Sequence, residues 1–272
     1  DRTLALPGPP AGALLADEHR THVAALAADG KIRVIRKSDG RIVAEKDLGA
    51  SALTGMTAPP GSRLLAASTR DGRVLLAPVS FGVTFEGSSR VIQPEIADPV
   101  ILPVDPAGRP LRAFSGQVDE EGNATAAGIL AGGSLAVVRR SVTENMMTGE
   151  TSESLGRFEV QVPQRVTTLL VDSGQRNVYA GTAAGELLWW PLAEGEPGPV
   201  RAASAGTSAV TALALLIGDR SLVVGQENGA LSVWFPVRHE ESARLTRIRD
   251  FPPHRGAIRE ISPSLRNKGF LA

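Results

Sequence analysis

The residues able to do chemistry are few and scattered. His19 and His22 form His-x-x-His, a spacing compatible with a metal on a helix or turn, but no third ligand lies nearby and Asp17 and Glu18 add no carboxylate pattern. DEEGN (119–123) and the pair Glu240-Glu241 are acidic, yet neither alternates carboxylates with spacers as a calcium loop does. DEEGN reads as a solvated hairpin tip. No Gly-x-Ser-x-Gly, P-loop or Gly-x-Gly-x-x-Gly opening a helix occurs. These observations predict a non-enzymatic chain with no metal and no cofactor.

Three other groups suit contact rather than catalysis. Met146 and Met147 stand in SVTENMMTGETSESLG (141–156), a polar stretch that reads as an inserted loop, and exposed Met suits adaptable contacts. Arg238, Arg244, Arg247 and Arg249 form a basic series that could meet an acidic partner or lipid headgroups. Trp189 and Trp190 are adjacent in a chain with three tryptophans. Adjacent strand positions point to opposite faces, so Trp190 and Trp189 serve different layers. Met146, Met147, Arg238, Arg244, Arg247 and Trp189 are the candidate partner contacts.

Composition narrows the classes. Apolar residues make up 42% and charged residues 21%, a globular balance. Lys plus Arg equals Asp plus Glu at 29 each, so no overall field draws in nucleic acid. With one Tyr and scattered basic residues, no single-strand-binding surface is indicated. Cysteine is absent, which excludes disulfides and thiolate metal sites. No apolar run approaches the ~20 residues of a membrane helix, and no signal peptide opens the chain. The chain opens at Asp1, which reads as a segment of a longer protein.

The elements that position these residues repeat. Set VTTLLVDSGQRNVYAGTAAGELLWWPL (166–192) above VTALALLIGDRSLVVGQENGALSVWFPV (210–237). Gly174, Gly181, Gly185 and Trp190 then fall on Gly218, Gly225, Gly229 and Trp234, at an offset of 44 residues. That period, with β-type patterning, is the propeller-blade range. An apolar residue followed eight positions later by Gly marks further copies at Leu53/Gly61 and Val100/Gly108. Asp29-Gly30, Asp39-Gly40, Asp71-Gly72 and Asn228-Gly229 are turn dipeptides that favour φ > 0 between short β-rich runs.

The fold expected is an all-β propeller of four-stranded blades forming one domain. Its repeats lie near 11–48, 53–92, 100–160, 166–202, 210–249 and, in part, 258–272. Six blades are expected, or seven if the chain continues beyond 272, with RTLAL (2–6) available as a closing strand. Trp190 is a packing position between blades. Trp189 either packs in the opposite layer or stacks on a ligand or partner.

PHRGAIREISPSLRNKGFLA (253–272) resembles the opening of a WD40 blade through His254, Ile258, Ile261, Ser262 and Pro263. The usual Trp-Asp dipeptide is replaced by Trp190-Pro191 and Trp234-Phe235. The stretch 218–264 is further similar to the soluble domain carried by the permease subunit of phosphate-specific ABC importers. That resemblance implies a non-catalytic interaction or regulatory domain on the periplasmic side of a bacterial inner-membrane protein. Its partners would be other importer subunits, including the periplasmic binding protein. Two alternatives stand beside it: a ligand-binding or hydrolytic propeller with a site in its central channel, and a free-standing assembly scaffold.

Overall fold

The computed structural model describes residues 11–50, 52–239, 242–264 and 269–272. Every regular element among them is a β-strand. The first blade is β1 (Ala11–Ala16), β2 (His22–Ala27), β3 (Lys31–Arg36) and β4 (Ile42–Asp47), paired in sequence order. The second is β5 (Leu53–Thr57), β6 (Leu64–Thr69), β7 (Arg73–Glu86) and β8 (Ser89–Ile96), with β9 (Val100–Pro103) also on β7. β10 (Ala113–Val118), β11 (Ala124–Ile129), β12 (Leu135–Glu144) and β13 (Thr151–Val160) form the third.

The fourth blade has β14 (Val166–Val171), β15 (Asn177–Thr182) and β16 (Glu186–Ala193). Its outer edge is shared by β17 (Glu196–Pro197) and β18 (Arg201–Ser204), both on β16. The fifth is β19 (Val210–Leu215), β20 (Leu222–Gln226), β21 (Leu231–His239) and β22 (Ser242–Phe251). β23 (Ser262–Pro263) and β24 (Phe270–Leu271) form a two-stranded sheet where a sixth blade begins. The expected closing strand at 2–6 lies outside the described residues.

Burial explains the order within each blade. The second strands β6 and β11 are buried at every position and read as continuous small-apolar runs, LLAAST and ATAAGI. Buried on both faces, such a strand has no polar side to alternate with. The outer strand β13 is largely exposed. Between blades lie apolar layers. Leu26, Ile32 and Val34 of the first blade meet Leu65, Leu75 and Val79 of the second. Ile129, Leu135 and Val137 of the third meet Leu169, Val178 and Trp190 of the fourth.

One joint recurs along the ring. The register between first and second strands shifts at Leu53/Gly55, Val166/Thr168 and Val210/Ala212, leaving Thr54, Thr167 and Thr211 as the extra residue of a bulge. The Thr167 hydroxyl lies 2.5 Å from Val210 O, and that of Thr211 lies 2.5 Å from Ile258 O, each on the following blade. Beside each joint is a glycine. A Cβ on Gly181 would stand 2.4 Å from Val210 Cγ1, and one on Gly225 would stand 2.3 Å from Ile258 Cγ2. The repeated Gly-x-x-x-Gly is therefore a socket for the next blade.

Two sequence expectations are corrected. Val100/Gly108 does not open a blade: β9 pairs with β7 as a fourth strand, and the inner strand of the third blade is β10. The eight-residue rule found an apolar residue before a turn, which an outer strand also supplies. The stretch 141–156 is not a loop insertion. It belongs to β12 and β13, which stay paired out to Glu144 opposite Thr151. Its polar residues are the solvated faces of a hairpin that extends past the blade.

Candidate functional site

A central channel of about 550 Å³ is lined by β1, β5, β14, β19 and residues 259–263. The innermost strands are mostly apolar, and among the described residues its charged liners are Arg259 and Glu260, with no imidazole. At one mouth a smaller cavity of about 250 Å³ is lined by turns of several blades. The carboxylate among its described liners, Asp219, is already engaged: it accepts hydrogen bonds from Ser173 N at 2.8 Å and Ser173 Oγ at 2.5 Å, tying the fourth blade to the fifth. Among the described residues no group of three or more His, Asp or Glu is placed to hold a metal. Among the described residues the channel lining holds no cluster of metal-binding side chains.

Turns on the rim of the blades are built around single aspartates. Asp172 Oδ1 accepts from Arg176 N and Asn177 N, both at 2.7 Å, while Oδ2 accepts from Asn177 Nδ2 at 2.8 Å. Asp17 does the same for Thr21 N and His22 N, at 2.7 and 2.8 Å. Asp119 accepts from Asn123 N at 2.8 Å, so DEEGN is a hairpin turn, as its sequence implies. Burial works against the Asp17 carboxylate, but bonds from His22 and Thr21 outweigh it and hold its pKa below the ordinary value. Sequence reading passed over Asp17 and Asp172 as structural centres, although D-x-x-x-[Thr/Arg]-[His/Asn] stands at the same turn of the first and fourth blades, at 17–22 and 172–177.

The tryptophans are settled by burial. Trp190 is 2% exposed, in the layer between the third and fourth blades. Trp189 is 5% exposed, in the layer between the fourth and fifth, so it is not a surface for a partner. Its Nε1 donates to Asn177 Oδ1 at 2.7 Å, Arg201 lies 4.7 Å over its ring, and Tyr179 stacks beside it. Burial, with the charges of Asp172 and Asp219, pushes the Tyr179 phenol far above its usual range. An aromatic with every polar handle satisfied is a packing residue.

The remaining candidates sit on long hairpins. Met146 and Met147 are 98% and 95% exposed at the tip of β12–β13. The tip is a bonded turn: Asn145 Oδ1 accepts from Met147 N at 2.9 Å, and Gly149 N donates to Asn145 O at 2.7 Å. The arginine series is split by strand alternation. On β21–β22, Arg238 is opposite Ala243 and Arg244 is opposite Val237, so the two point to different faces. Arg247 is neutralised by Asp250, at 2.5 Å, and Arg249 lies 4.7 Å over Phe251. A third hairpin, β7–β8, carries Phe85 exposed near its tip.

Blades of antiparallel strands around a channel, with an apolar layer between each pair, define a β-propeller. The chain is similar over 96% of its length to the β-propeller domain of Cps50 (Swd1) from Myceliophteria thermophila, covering 80% of that domain with a TM-score of 0.56 and 12% identity. At that identity the likeness is one of fold. No protein-family model matches the chain, and neither does any curated protein sequence.

Proposed function

We propose that the chain is a non-catalytic docking domain of a phosphate-specific ABC importer permease, held on the periplasmic side of a bacterial inner membrane. The observation that carries a docking role is the set of hairpins that outreach their blades. β7–β8, β12–β13 and β21–β22 continue past the strands that pair with them inside the blade, and the first two expose Phe85, Met146 and Met147 there. Apolar side chains on ordered, projecting hairpins suit protein contacts, and Met suits a partner that repacks. The channel, with one guanidinium and one carboxylate among its described liners, favours scaffolding over catalysis. The importer assignment rests on the resemblance of 218–264. Other importer subunits, the periplasmic binding protein among them, are the partners it implies.

Photo-crosslinkers placed at Met146 and Met147 in the parent protein should join the domain to an importer subunit or its binding protein. Flanking the domain, the parent gene should encode apolar segments of ~20 residues on both sides. A secretory signal with no membrane segment would rule out the permease assignment and leave a free-standing scaffold.

A further inference from the structure

Between the first blade and the β7–β8 hairpin lies a basin of about 590 Å³, lined by the turn before β2, the turn after β3, and β8. Its cations are Arg20, Arg36, Lys37 and Arg90. In a chain of zero net charge this concentration has to be set against the carboxylates around it. Arg36 faces Asp39 at 3.3 Å, but Arg20, Lys37 and Arg90 form no ion pair with any described carboxylate. The acids nearby are already committed. Asp17 is held by Thr21 and His22 N, and Glu18 accepts from Arg63 at 2.7 Å. Arg90 is steadied by His19, whose Nδ1 accepts from its guanidinium at 2.5 Å.

The wall adds a chemically selective group. His22 is 5% exposed, stacks on Phe81 and lines the basin. The Thr21 hydroxyl donates to Asp17 Oδ2, so its oxygen must accept the proton of His22 Nδ1, 2.8 Å away. With the proton on Nδ1, Nε2 carries a lone pair. Among the described residues Nε2 has no hydrogen-bond partner. An unpartnered acceptor on the wall of a cationic basin suits an anion that keeps a proton of its own.

We infer that this basin binds a phosphate group bearing a hydroxyl, with Arg20, Arg36, Lys37 and Arg90 neutralising the anionic oxygens and His22 Nε2 accepting the hydroxyl proton. The shared chemistry is orthophosphate or a phosphomonoester headgroup. Sulfate, fully deprotonated at neutral pH, brings its charge without the proton. The inference stands on the basin's geometry and does not depend on the importer assignment.

The test is calorimetric titration of the full chain with sodium orthophosphate at low ionic strength and neutral pH, with sodium sulfate as the matched anion. Orthophosphate should bind saturably at one site. Sulfate should bind more weakly by about tenfold, the weight of one hydrogen bond to a charged group. Lys37→Glu and Arg90→Glu change exposed side chains and should keep the fold, yet each should weaken orthophosphate by about tenfold or more. Co-sedimentation with phosphatidylcholine vesicles containing phosphatidic acid reports the source: binding that is lost in Arg90→Glu assigns a headgroup, and binding of orthophosphate alone assigns the free anion. Absence of saturable orthophosphate binding, or full affinity in both charge-reversal variants, would overturn the site. Equal affinity for sulfate would overturn the role of His22.

Discussion

Replacing Gly225 by Ala tests the socket that joins one blade to the next. The added Cβ would stand 2.3 Å from Ile258 Cγ2 and 2.6 Å from Ile258 Cβ. Ordinary carbon contacts lie at about 3.5–4.0 Å, so the two must separate by about 1 Å or more. Ile258 is poorly placed to yield. It is 3% exposed, its N donates to Gln226 O at 3.1 Å, and its O accepts from Thr211 at 2.5 Å. Overpacking costs about 1–3 kcal/mol, and each strained hydrogen bond adds about 1 kcal/mol. Loss of backbone freedom in the unfolded chain returns up to about 1 kcal/mol.

The net expectation is a loss of about 2–4 kcal/mol, measured by urea denaturation. At about 2–4 °C per kcal/mol for a chain of this size, Tm should fall by about 4–15 °C. Gly174→Ala is the matched control, because its Cβ would meet nothing closer than 3.8 Å. It should stay within about 0.5 kcal/mol of the parent. Shortening Ile258 to Ala in the Gly225→Ala background removes the nearest clash, so the double variant should lose less than the sum of the singles by at least about 1 kcal/mol. A Gly225→Ala protein as stable as the control, or singles that simply add, would refute the socket.

Asp172→Ala strips three hydrogen bonds from the turn between β14 and β15 and frees Asn177, which holds Trp189 Nε1. It should cost about 2–4 kcal/mol by denaturation and shift tryptophan fluorescence to longer wavelength, whereas an unchanged spectrum would break that link. Burial lowers the His22 pKa below its ordinary 6.5, with Arg36 adding to the effect and Asp17 and Asp39 opposing it. Below pH 6.5 the unfolded state therefore takes up this proton more readily, so stability contributed by neutral His22 is present above 6.5 and lost as pH falls. Urea midpoints measured across that range should show the slope in the parent and a flatter one in His22→Gln. Met146→Glu with Met147→Glu, at a fully exposed tip, should leave the urea midpoint within about 0.5 kcal/mol while abolishing co-purification of the partner with the parent protein.

The repeat was legible because its signals are local. A two-residue turn needs φ > 0 whatever surrounds it, and Gly30, Gly72 and Gly229 take 77°, 75° and 84° at the predicted Asp-Gly and Asn-Gly turns. Matching apolar strands and paired glycines 44 residues apart were enough to indicate blades. Val-Thr at 166–167 and 210–211 was equally visible and marks the bulge at each joint, but a threonine in a strand says nothing of its reach until the next blade is beside it.

By itself, then, the sequence determined an all-β chain of repeated four-stranded units, because alternation and turn conformation depend on neighbours a few residues away. Tertiary structure alone decided which residues are free to act. It buried Trp189 between two blades, set Arg238 and Arg244 on opposite faces of one hairpin, and returned Val100 to the preceding blade. It also carried Arg90 back onto the first blade, some seventy positions from His19, to close a basin that no local pattern announces. Side-chain charge is written in the sequence, but whether a charge is paired, buried or left to meet a ligand depends on contacts between distant segments, and those exist only once the blades have packed.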